Sequence, residues 1–153
     1  MEKEPLLISA CLLGVACRYD GRSVPQAEPV LEALTARYTL VPVCPEQLGG
    51  LPTPRDASER RGGAVVQRSG CDVTENYARG AAETLRLAAR FGCRRALMKE
   101  RSPSCGAGAV YDGSFSGTLT AGDGVTAEAL RAQGIAVYGE SRLQELLAQE
   151  SES

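Results

Sequence analysis

The sequence predicts an α/β fold, a single compact domain built on a short, mostly parallel sheet flanked by helices. Two observations carry the prediction. Short apolar runs of strand length alternate with amphipathic helical patterns along the chain, the arrangement that places helices over a parallel sheet. The chain has 153 residues, 43% of them hydrophobic and 24% charged, which suits one domain over residues 1–153 and leaves too little for two. A domain of this size holds a sizeable core without help from metals or disulfides, so its six cysteines call for another explanation.

Leu6-Leu7-Ile8 opens the first strand, which runs to Ala10. Thr39–Val43, Ala96–Met98 and Ile135–Tyr138 read as three further buried strands, and Pro42 puts the second at a sheet edge because proline cannot donate to a ladder. Pro29 stands in the first turn of a helix reaching Tyr38. Thr74 to Phe91 carries Tyr77, Ala81, Leu85 and Ala88 on one stripe and closes at Gly92. Thr126–Gln133 is a third helix, ended by Gly134. Ser141 and Gln144 form a capping box for a last helix bearing Leu143, Leu146 and Leu147, before a polar tail from Gln149 to Ser153. Two Gly-rich stretches, Pro45–Gly63 and Ser102–Gly124, break the alternation and read as long functional loops. No internal repeat or low-complexity tract is present.

A formal net charge of −2 and no Lys/Arg run longer than two argue against a nucleic-acid polymer as partner; a small ligand suits the chain better. Met1-Glu2-Lys3-Glu4 is too acidic to open a signal peptide, and the apolar stretch Leu6–Cys17 is too short for a membrane span. The expected location is therefore cytoplasmic. With no histidine in the chain, the commonest general base and every Ser-His or Cys-His pairing are excluded. Catalysis must run on carboxylates, hydroxyls, thiolates or a metal.

Ligands of open α/β sheets bind outside the carboxyl ends of the strands. Cys11, Cys44 and Cys105 follow the first three predicted strands, and Cys17 lies six residues beyond Cys11. Cys71 and Cys93 flank the long helix and read as small buried hydrophobes. A reducing compartment disfavours disulfides, and the absence of any C-x-x-C pair disfavours a zinc finger. Thiolates drawn singly from separate strand ends suit an iron–sulfur cluster better than a structural zinc.

Six motifs then appear in order: Ser9-Ala10-Cys11-Leu12-Leu13-Gly14, Cys17-Arg18-Tyr19-Asp20-Gly21, Cys44-Pro45-Glu46-Gln47-Leu48-Gly49-Gly50, Pro52-Thr53-Pro54-Arg55, Lys99-Glu100-Arg101-Ser102-Pro103-Ser104-Cys105-Gly106 and Tyr111-Asp112-Gly113. Over about Leu6 to Tyr138 the chain resembles the thiouracil desulfidase family. The resemblance implies a 4Fe-4S cluster on Cys11, Cys44 and Cys105 with one iron open, and removal of sulfur from thiolated uracil bases or nucleotides without net redox change. It implies Glu46 and Ser102 as the catalytic pair. The chemistry agrees: an open iron is a Lewis-acid position for a soft thiocarbonyl sulfur, and Glu46 is a base on the turn that supplies a ligand. Ser102, ahead of Pro103, is held extended.

Arg18, Asp20, Lys99, Ser104 and Gly106 are the substrate-contact candidates. Arg18 and Lys99 offer cations to a nucleotide phosphate, and the Gly106–Gly108 segment offers backbone N–H groups. Cys17 fits either a thiol lining the pocket or a fourth ligand. Four thiolate ligands would favour a non-catalytic iron–sulfur carrier or redox sensor, and none a Cys11–Cys17 thiol redox enzyme.

Overall fold

The structure, a computed structural model, describes residues 3–149. Of the polar tail expected from Gln149 to Ser153, residues 150–153 lie outside the described residues, as does the acidic Met1-Glu2 start. Four strands, β1 (Glu4–Ser9), β2 (Tyr38–Val43), β5 (Arg95–Met98) and β8 (Ala136–Gly139), form one sheet in the order β2-β1-β5-β8. All three pairings are parallel, and Pro42 lies on an edge strand as expected.

Side chains alternate across the strands, as a period of two requires. Leu6, Ile8 and Leu97 face one side, where α1 (Glu28–Arg37) and α5 (Leu143–Leu147) cover them with Leu34, Leu143 and Leu146. Leu7, Ala96 and Met98 face the other, under Ala88 of α3 (Thr74–Phe91) and Ala127 and Leu130 of α4 (Val125–Ala132). Burying a leucine fully contributes about 1.5–3 kcal/mol, so the fully buried Leu6, Leu7 and Ile8 make β1 the sheet's anchor. The loops leaving β1, β2 and β5 consequently open side by side at one rim.

Three readings of the sequence are corrected here. The two Gly-rich stretches are not plain loops. The first holds the one-turn helix α2 (Pro45–Leu48) and strand β3 (Ser58–Arg61), which pairs with β4 (Ala64–Gln67) in an antiparallel hairpin; the second holds the hairpin of β6 (Ala109–Tyr111) and β7 (Leu119–Ala121). Ser-Glu-Arg-Arg in β3 has no apolar alternation to betray it, although the Gly62-Gly63 turn is a hairpin signal. Ser141 does not cap the last helix; its hydroxyl donates to the Glu100 carboxylate, and the helix starts at Leu143 behind a short 3-10 turn, Glu140–Arg142. Cys93 is buried as expected but Cys71 is exposed, because it sits in the turn after β4 rather than under the helix.

Candidate active site

The rim above β2, β1 and β5 encloses a cavity of about 420 Å³. Cys11 reaches it from the 3-10 turn after β1, Cys44 from the residue that begins α2, and Cys105 from the loop after β5. Cys17 lines it as well. Three adjacent parallel strands thus deliver one thiol each, with the fourth from the loop after Cys11.

Burial, then repulsion from Cys105, Cys17 and Cys44, pushes the Cys11 thiol up to about 12, with Lys99 acting the other way. Burial and Cys44 raise Cys17 to about 12; burial raises Cys105 to about 11. Without a cation among them these thiols hold their protons. A metal cation among them would reverse this, since a metal-bound thiol is deprotonated outright.

Glu46 stands beside the thiols in the first turn of α2. Arg55 Nε donates to its Oε1 at 2.9 Å, and Ser104 Oγ donates to its Oε2 at 2.9 Å. Ser104 Oγ lies 3.0 Å from Ser102 Oγ, which also accepts the backbone N–H groups of Ser104 and Cys105, each at 3.1 Å. Since Ser104 donates to Glu46, the Ser102 proton points to Ser104. A chain of donors therefore runs Ser102, Ser104, Glu46. The same Ser102 oxygen fixes the loop that presents Cys105.

The Arg55 side chain is only 3% exposed. Its remaining N–H groups reach the carbonyls of Cys17 and Pro52 and the Thr53 hydroxyl. One guanidinium therefore ties the Glu46 carboxylate to the Cys17 loop.

The backbone between these parts is packed too closely for side chains. A Cβ on Gly49 would stand 2.0 Å from the Asn76 carbonyl oxygen, and one on Gly80 only 1.9 Å from that of Pro45. These two glycines let α3 press against α2, and Asn76 Nδ2 donates to the Gly49 carbonyl across the join. On the opposite wall, Gly124 abuts Ser104, seating the start of α4 on the Cys105 loop.

Of the substrate-contact candidates, Arg18, Lys99 and Ser104 line the cavity. Lys99 is also paired with Glu140 at 3.0 Å. Asp20 is not among the lining residues; it accepts the Arg22 N–H and pairs loosely with Arg18 at 4.0 Å. Gly106 is a packing residue whose N–H donates to the Ser102 carbonyl, and the Gly108 N–H is engaged by Asp123. At the outer rim stand Arg68 and Phe115, 5.2 Å apart as a cation–π pair. Phe115 and Arg101 both hold positive φ, 56° and 68°, a strain that collects at functional sites.

The model of the 2-thiouracil desulfurase family matches residues 6–142, a span that takes in every one of these groups. The chain belongs to the 2-thiouracil desulfurase family. Among solved structures it is similar to the 4Fe-4S-dependent thiouracil desulfidase TudS, at 49% identity and a TM-score of 0.90, over 94% of this chain and 95% of that one. It is also 41% identical to the uncharacterized protein YbbK of Bacillus subtilis (strain 168), over 93% of this chain and 99% of that protein.

Arg55 reads from the sequence as one of several cations near the cysteine loops, suited to a phosphate; the structure instead pairs it with Glu46. Tyr77, one of the cavity-lining residues, escapes the sequence reading because it hides within the apolar stripe of α3.

Proposed function

We propose that this protein hydrolyses the carbon–sulfur bond of thiolated uracil bases or nucleotides, on a 4Fe-4S cluster held by Cys11, Cys44 and Cys105, releasing the uracil and sulfide. One observation carries the reading: three thiols from three neighbouring strand ends share a cavity with a carboxylate whose orientation is fixed by Arg55 and by the Ser104–Ser102 hydroxyls. The donor set fits a cluster. Thiols delivered singly from three strand ends to one cavity suit a cluster, which takes its thiolates on separate irons.

When bound, the cluster supplies a Lewis-acid iron without a protein ligand, an acceptor for soft sulfur. The chain's own residues do the rest. Glu46 takes a proton from a water that adds to the ring carbon, in the manner of a general base. Arg55 holds one carboxylate oxygen, so the other is the proton acceptor. Ser102 and Ser104 relay a proton between the carboxylate and the departing group. Water supplies the new carbonyl oxygen, sulfur leaves as sulfide with the two protons of that water, and no electrons are gained or lost.

Cys17 is the pocket thiol rather than a ligand in this reading. In the cluster-free protein its carbonyl accepts the Cys44 thiol, at 3.7 Å, and Arg55; the Arg55 bond does not depend on a Cys44 proton, so its segment braces the site through the backbone. Arg18, Arg68 and Arg101 around the cavity favour a substrate that carries phosphate, in the manner of nucleotide salvage. All six cysteines are free, which suits the cytoplasm.

The test is anaerobic reconstitution followed by a sulfide-release assay on thiouracil, its nucleoside and its nucleotide. Release from at least one, fastest from the nucleotide, is expected. A fully loaded protein that releases none would overturn the proposal.

A further inference from the structure

Tyr77 is the odd member of the site. It is 2% exposed, its ring belongs to a small core with Val65 and Val73, and its hydroxyl is excluded from solvent with no hydrogen-bond partner. A buried hydroxyl left unpaired costs stability and is rare enough to require a reason. The polar groups beside it are Glu46, Ser58 and Arg55. Glu46 and Ser58 are close enough to act on the phenol as hydrogen-bonding neighbours, yet neither makes a full bond with it, so the donor stands beside the catalytic carboxylate without a settled partner.

The fold holds this arrangement firmly. Gly80, three residues along α3 from Tyr77, presses on the Pro45 carbonyl, and Gly49 presses on Asn76. The helix bearing the phenol and the turn bearing Glu46 are in backbone contact, so the distance between them cannot drift. A phenylalanine would fill the same core equally well. That exchange therefore isolates the oxygen.

We propose that Tyr77 is a positioning residue for Glu46: its phenol donates to the carboxylate when the Ser104 hydroxyl turns away from it during turnover. Glu46 accepts Arg55 on Oε1 and Ser104 on Oε2. Glu46 takes a proton from the attacking water on Oε2 and gives it to Ser104, whose own proton passes through Ser102 to the leaving sulfur. For this the Ser104 hydroxyl must turn from Glu46 toward Ser102, and through that turn the phenol is the second donor that keeps the carboxylate aimed.

The inference rests on Glu46 as the base, and the experiment separates the two. Tyr77→Phe, Glu46→Gln and the double variant are compared anaerobically for iron content, kcat and KM, and cluster-free for thermal unfolding. Tyr77→Phe is expected to lower kcat on the order of tenfold to a hundredfold, the effect of one hydrogen bond to a charged group, with KM and iron unchanged. Its cluster-free Tm should be equal or higher, since an unpaired buried oxygen is gone. In the Glu46→Gln background the Tyr77 change should have no further effect, the signature of two groups acting as one.

Unchanged kcat in Tyr77→Phe overturns the inference and leaves Glu46 in place. So does a kcat loss that comes with lost iron or a lower Tm, which marks a packing role, or a loss that adds fully to that of Glu46→Gln. Near-normal turnover by Glu46→Gln itself removes the base, and the inference with it.

Discussion

Replacing Glu46 by glutamine separates holding the site together from running its chemistry. The side chain keeps its shape and one acceptor oxygen for Arg55, but loses its charge. Arg55 Nε lies 2.9 Å from Glu46 Oε1, with the two side chains 3% and 13% exposed, so the variant leaves a nearly buried guanidinium without its counter-ion. Removing one partner of a fully buried ion pair costs about 3–5 kcal/mol. Arg55 retains acceptors on Cys17, Pro52 and Thr53, and glutamine still accepts one bond, so about 1–3 kcal/mol is the better figure, the value of a charged hydrogen bond. For a domain this size that lowers Tm by roughly 2–4 °C per kcal/mol. Turnover should fall on the order of 10²–10⁴, the usual contribution of a general base, in protein that still carries its iron. The assay is anaerobic sulfide release at matched iron content, beside a thermal melt. Sulfide release by the loaded variant within a few-fold of the parent would refute the role given to Glu46; loss of iron would show that Arg55 and Glu46 serve the cluster instead.

Cys11→Ala, Cys44→Ala and Cys105→Ala should each lose most of the iron taken up on reconstitution, while Cys71→Ser and Cys93→Ser keep it, as read by iron content and visible absorption. Cys17→Ala should keep the iron even if activity falls; complete loss would make it a ligand. Gly80→Ala should unfold at lower temperature and take up less iron, because its Cβ would stand 1.9 Å from the Pro45 carbonyl oxygen and force apart the helix and the turn bearing Cys44, a misfit of about 1–3 kcal/mol or more. In cluster-free protein the Cys11 and Cys17 thiols are raised from 9.0 to about 12 and Cys105 to about 11. The unfolded chain gives up these protons first, so stability is full below about pH 9 and falls as pH rises through 11 and 12. A Tm that rises across that alkaline window would contradict the assigned burial.

The sheet was legible because its strands are written as apolar runs: Leu6-Leu7-Ile8 has only one environment that suits it, a strand covered on both faces. Cys11, Cys44 and Cys105 were legible as companions for a topological reason, since each follows a strand and parallel strands end at the same rim. The hairpin of β3 and β4 was hidden because Ser58–Arg61 is held by backbone pairing and by groups far along the chain; Arg60 donates to the Asp123 carbonyl and Arg61 to that of Gly113. Gly106 offered a glycine pattern that looked like an anion cradle, yet its role is to let the backbone approach Arg101 and Ser102. Tyr77 shows the limit of periodicity. Its ring obeys the helical stripe and so conceals the hydroxyl, whose neighbours come from α2 and β3, elements remote in sequence.

The central claim is that sulfur is replaced by oxygen from water without net electron transfer. It is tested most directly by turnover of a thiolated uracil substrate in oxygen-18-labelled water, anaerobically, with reconstituted protein and no reductant or oxidant. The account predicts one labelled oxygen in each uracil formed and one sulfide released with it, over many turnovers. Unlabelled uracil, or sulfide release that stops until electrons are supplied, would contradict it.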